Sequence, residues 1–98
     1  MKYAYQIRSI THGVIELRFP DLVGARELFA TELDAEKGAM ALFLEAVQYR
    51  FDSRQQVPVP VFRQSGDRFL VVPLEQQARI HLHNAQLEEL GEIQGVSE

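Results

Sequence analysis

The chain has 98 residues, 46% hydrophobic and 24% charged, which suits one small globular domain and excludes a disordered chain. It contains no cysteine, so disulfide scaffolds, thiolate-bound zinc and thiol nucleophiles are excluded. The net charge of −4 is uneven: residues 1–73 balance, and the excess falls in 74–98, where Arg79 stands alone against Glu75, Glu88, Glu89, Glu92 and Glu98.

A segment that grips phosphate needs Lys and Arg, so the last quarter is suited to avoid phosphate or to meet something basic. No apolar run reaches the length of a membrane span. The start Met1-Lys2-Tyr3-Ala4-Tyr5-Gln6 lacks the apolar stretch of a signal peptide. The expected compartment is the cytoplasm.

Residues 1–10 alternate, with Tyr3, Tyr5 and Ile7 on one face and Lys2, Ala4, Gln6 and Arg8 on the other, the period of a half-buried strand. Thr11-His12-Gly13 is a turn, and Ile15, Leu17 and Phe19 alternate with Val14, Glu16 and Arg18 in a second strand. So short a link makes the pair an antiparallel hairpin. Pro20-Asp21-Leu22-Val23-Gly24 interrupts the pattern, and Ala25–Ala30 reads as a third, weaker strand.

Thr31 is placed to cap a helix, with Glu32, Asp34 and Glu36 at its positive end. Apolar residues recur at Ala35, Ala39, Met40, Phe43, Ala46, Val47 and Phe51, one helical stripe over 31–51. Gly38 weakens that helix, and close packing against the sheet is the expected reason. Val57-Pro58-Val59-Pro60 is an extended linker, and Ser65-Gly66-Asp67 a turn. Arg68–Val72 is a strand apolar on both faces, stopped by Pro73. A second helix spans Leu74–Leu90, closed by Gly91 and followed by a frayed tail. One stripe holds Leu74, Ala78, Leu82 and Ala85; another holds Ile80, Leu87 and Leu90.

The order β-β-β-α-β-α defines an α+β fold, divided into 1–73 and a C-terminal helix and tail over 74–98. Counting directions makes the fourth strand parallel to the first, in a four-stranded mixed sheet with the first helix across one face.

Little in the chain reads as catalytic machinery. His81 and His83 stand about 200° apart on a helix and cannot share an ion. His12 lies in a turn, and a helix's first turn accounts for Glu32, Asp34 and Glu36. The strand order also describes the opening of RNase H-like nucleases, which hold two metals on carboxylates of the first and fourth strands. Neither Lys2–Ile10 nor Arg68–Val72 contains an acidic residue. No catalytic, metal-binding or cofactor-binding residue is assigned, and no cofactor is expected.

Three blocks in this order resemble the HicB-type antitoxins of toxin–antitoxin pairs: the start Met1-Lys2-Tyr3, the stretch Phe19-Pro20-Asp21-Leu22-Val23-Gly24, and the helix ending before Val57-Pro58-Val59-Pro60. Phe69–Leu74 followed by Ile80–Leu87, with Asn84-Ala85 inside, is similar to the family's join to its DNA-binding part. The resemblance covers about residues 1–90. It implies a degenerate RNase H-like sheet in the order 3-2-1-4 and a non-catalytic protein that masks the RNA-binding face of a small, basic, RNA-cleaving HicA-type toxin. It also implies a homodimer and autoregulatory DNA binding. With no Lys or Arg after Arg79, no DNA-binding residue is assigned.

Phe19, Asp21, Leu22 and Glu27 are the candidate toxin contacts, offering an apolar centre with carboxylates beside it. Ile80, Leu87 and Leu90 are the candidate oligomerisation contacts, because a small domain covers only one stripe of a terminal helix. The alternative is a non-catalytic interaction or RNA-binding module of similar topology, using the arginines at 50, 54, 63 and 68.

Overall fold

A computed structural model describes residues 1–60 and 68–96, with side chains described through Gly91. The turn expected at 65–67 and Arg63 lie outside the described residues. The elements are β1 (Lys2–Thr11), β2 (Val14–Arg18), β3 (Arg26–Phe29), α1 (Glu32–Asp52), β4 (Arg68–Val71) and α2 (Leu74–Val96).

The sheet order is β3-β2-β1-β4. Ile7 pairs with Leu17, Leu17 with Glu27, and Tyr3 with Leu70. Paired residues share a face, so Tyr3, Leu17 and Leu70 point together toward α1. Thr31 caps that helix, its Oγ accepting from the Asp34 amide at 3.1 Å. Tyr3, Leu17, Phe19, Phe43 and Val47 are buried at its interface with the sheet, and Ile7 packs half-buried against them. The Phe43 ring centroid lies 5.1 Å from that of Tyr3 and 6.0 Å from that of Phe19.

The expectation of a mixed sheet is corrected. β4 runs antiparallel to β1, as β2 does, so the sheet is antiparallel throughout and lacks the parallel fourth strand of an RNase H-like opening. The cause is the long connection from Asp52 to Arg68. Pro58 sits beyond the C-terminal end of α1, where its carbonyl accepts from the Tyr3 hydroxyl at 2.5 Å. Arg68 instead meets Glu32 and Glu36 in the first turns of α1. The chain thus re-enters the sheet from the opposite end to the one that direction counting assumed.

The second helix is also longer than expected. Gly91 does not close it; α2 continues to Val96. Among the described residues, Ile80 is fully buried, Leu87 is half-buried, and Asn84 and His83 bond to the linker. The molecule is accordingly elongated, 55 × 23 × 22 Å.

Candidate interaction site

Between β2 and β3 the segment Phe19–Ala25 folds into a tight loop. The Phe19 amide donates to the Ala25 carbonyl at 3.1 Å, and the Ala25 amide donates to the Leu22 carbonyl at 2.9 Å. Gly24 takes φ +91°, a conformation that L side chains resist. From α1, Arg50 reaches across, donating to the Val23 carbonyl at 2.9 Å and to the Ala46 carbonyl of its own helix at 3.0 Å. Arg50 is buried, so the brace is shielded from competing water.

The loop sorts its side chains sharply. Phe19 and Leu22 are buried in the core, Asp21 is half-buried, and Val23 at the tip is 85% exposed. Of the four expected toxin contacts, Phe19 and Leu22 are placed inside, where they anchor the loop. Asp21 and Glu27 stay at the surface, with Glu27 on edge strand β3. Beside the loop lies a cleft of about 410 Å³ lined by Val23, Arg26, Leu42, Glu45, Tyr49 and Arg50. Val23 and Tyr49 are the exposed apolar groups at its margins; Tyr49 is 62% exposed. Neither residue is singled out from the sequence. Tyr49 lies outside the apolar stripe of α1, and an aromatic off the stripe of an amphipathic helix is the signal that marks it.

Beneath the loop, Tyr3 is held as a neutral phenol. Burial, and secondarily the charge of Asp21, push its pKa up from 10.0 to about 12, while Arg50 opposes the shift.

The sheet face away from α1 carries a different pattern. Among the described residues, Lys2, Arg8, Arg18 and Arg26 project from it around the single carboxylate of Glu16, with Phe69 and Val71 toward the β4 edge. Glu16 accepts from Arg8 Nε at 2.9 Å and from Arg26. The Arg26 bond above all, then that of Arg8 and the two positive charges, holds its carboxyl below the usual carboxylate range against the opposing cost of desolvation. Alternation alone exposes this grouping once β1, β2 and β3 are laid side by side.

Two of the arginines offered for a basic cluster have partners within the chain. Arg50 braces the loop from inside, and Arg68 is committed to Glu32 and Glu36.

On α2, Ile80, an expected oligomer contact, is buried within its own chain. Leu87, half-buried, and Leu90, 48% exposed, continue the same stripe beyond the domain. His83 donates from Nε2 to the Gln55 carbonyl at 2.7 Å and packs on Phe51, while His81 is exposed. Among the described residues no group of three or more His, Asp or Glu side chains is arranged to hold a metal ion. No helix there is long and apolar enough to cross a membrane.

In comparison with known proteins, no family model matches the chain, and no curated protein matches it.

Proposed function

We propose that the chain is a non-catalytic antitoxin that captures a small, basic, RNA-cleaving toxin and occludes its RNA-binding face. The observation that carries this reading is the Arg50-braced loop: its apolar anchors are buried, its backbone is internally bonded, and Val23 is presented beside Tyr49 at an open cleft. A loop ordered before binding loses little entropy in binding, as a dedicated recognition element should. Asp21, Glu27 and Glu45 supply carboxylates around it, and a phosphate-binding toxin face is complementary to them. The Phe19–Gly24 segment that forms the loop is also one of the blocks whose order and spacing resemble HicB-type antitoxins.

The test is co-expression with the product of a short, basic reading frame adjacent to this gene, scored by growth and by co-purification. Rescue that is lost with Val23→Asp supports the reading. Failure of the unaltered chain both to rescue growth and to co-purify with that toxin overturns it.

A further inference from the structure

Arg50 is a guanidinium taken out of water with neutral partners only. The residue is 8% exposed, and its two hydrogen bonds run to the Ala46 and Val23 carbonyls. Among the described residues no carboxylate lies within ion-pair distance of it. A guanidinium has five N–H donors, so most of them remain without a described partner. Buried polar groups are bonded as a rule, and a buried charge is costly unless it is paired. Bracing the loop accounts for two donors and leaves the charge unexplained.

Arg50 also lines the cleft beside the loop, a space of about 410 Å³ in which Val23, Leu42 and Tyr49 are its apolar neighbours. Two further charged groups border it. Arg26 is tied through Nε to Glu16, whereas Glu45 is exposed and makes no ion pair with a described residue. Clefts that hold small molecules span roughly 300–1,000 Å³ and join apolar walls to a few fixed polar groups. This one has that size, those walls and one cation in need of a partner.

We infer that the cleft is a binding site for a small monocarboxylate with an apolar body. The carboxylate sits on Arg50, and the body lies among Val23, Leu42 and the Tyr49 ring. A planar guanidinium matches a planar carboxylate, and charge-assisted bonds of this kind are about twice as strong as neutral ones. One unpaired cation suits one negative charge. A phosphate dianion would set a second charge near Glu45, and like charges repel. The site rests on the cleft and not on the toxin reading, so it is tested on the chain alone.

The probes are phenylacetate and hexanoate, with phenylacetamide as a neutral counterpart, titrated into the isotope-labelled full chain. Each acid should shift the amides of Val23–Arg26 and Ala46–Arg50 saturably, and the amide ligand should bind at least about tenfold more weakly than phenylacetate. Glu45→Gln removes the opposing charge from an exposed position, so it should tighten both acids and leave phenylacetamide unchanged. Tyr49→Ala, also at an exposed position, should weaken phenylacetate and phenylacetamide alike. Arg50→Met should bind phenylacetate no better than phenylacetamide. If that variant loses its fold, Glu45→Gln and Tyr49→Ala still decide the outcome.

Equal affinity for phenylacetate and phenylacetamide overturns the proposal, as does the absence of saturable shifts at these amides with both acids. Inorganic phosphate binding more tightly than phenylacetate overturns the carboxylate assignment. Weaker binding of the acids by Glu45→Gln would make the cleft a site for cations instead.

Discussion

The side-chain amide of Asn84 closes on both polar backbone groups of Val57. Its Oδ1 accepts from the Val57 amide at 2.8 Å, and its Nδ2 donates to the Val57 carbonyl at 2.9 Å. Val57 is buried, and the prolines at 58 and 60 keep its neighbourhood from supplying helical or ladder partners. One side chain thus satisfies a stretch of linker and fixes α2 to the domain.

Asn84→Ala leaves both Val57 groups without those bonds, and each unsatisfied buried group costs about 1–3 kcal/mol. The expected loss is about 2–4 kcal/mol in urea unfolding, with amide exchange rising first in α2 because its anchor is gone. Asn84→Asp keeps the acceptor but sets a carboxylate against the Val57 carbonyl, so it should not restore stability. An unchanged urea midpoint in both variants would show that α2 is held by packing alone.

The same pair explains what was legible in the sequence. The strands, the Thr31 cap and the α1 stripe follow from local periodicity, and their bounds fall within a residue or two of those expected. Which stripe of α2 faces inward does not follow from hydrophobicity, since both stripes are apolar. It is decided by Asn84 finding Val57, a contact between residues 27 positions apart. The direction of β4 was hidden for a related reason: residues 53–67 have no periodicity to say where they lead. In the loop, the apolar residues were legible but their roles were not. Phe19 and Leu22 turn inward, and Val23 alone of the apolar loop residues is presented to solvent.

Gly38 is legible as a close-packing glycine, and the structure supplies its neighbour. A Cβ there would lie 2.6 Å and 2.8 Å from two carbons of the Phe29 ring. Gly38→Ala gains about 1 kcal/mol of helix propensity but must displace a half-buried ring against the edge strand, an overpacking cost of about 1–3 kcal/mol. Net destabilisation is expected. In a Phe29→Ala background the ring is absent, and the same glycine substitution should stabilise the protein. A double-mutant cycle measured by chemical unfolding checks the change of sign.

Acid sensitivity should trace in part to Glu16. Its carboxyl is held below its ordinary value of 4.5, so the folded state favours the ionised form. That contribution is complete above the unfolded value and is lost as the pH falls through the lower folded one. Glu16→Gln should flatten the decline of thermal stability below about pH 4.5 while costing stability near neutrality. An identical pH profile in the two proteins would remove Glu16 from the account.

Tyr3 reports the opposite limb. Its phenol is pushed from 10.0 to about 12, so the folded state favours the neutral form. Its contribution is present below pH 10 and lost as the pH rises toward about 12. Tyr3→Phe removes the hydroxyl that donates to Pro58 and should cost about 1 kcal/mol at neutral pH, while reducing alkaline destabilisation. Thermal melts from pH 8 upward should therefore bring the two proteins closer together as the pH rises; parallel curves would contradict the shift.

The loop can be separated into brace and tip. Arg50→Met keeps most of the buried stem but gives up the bond to the Val23 carbonyl, a charge-assisted contact worth about 1.5–3 kcal/mol. The protein should lose stability by that order, and amides of residues 19–25 should exchange faster than those of β1. Val23→Asp acts at the tip, where the side chain is 85% exposed, so its unfolding midpoint should stay within about 0.5 kcal/mol of the parent. If the loop is a recognition element, both variants weaken capture of the basic toxin, by different routes. Arg50→Met should slow association, because only the ordered fraction of loops is competent. Val23→Asp should speed dissociation, because the ordered loop now buries a charge in an apolar contact. Association and dissociation rates measured by surface plasmon resonance separate the two. If Arg50→Met disorders the loop by exchange yet leaves both rates unchanged, the loop is only a structural link between β2 and β3, and the toxin contact must be sought elsewhere.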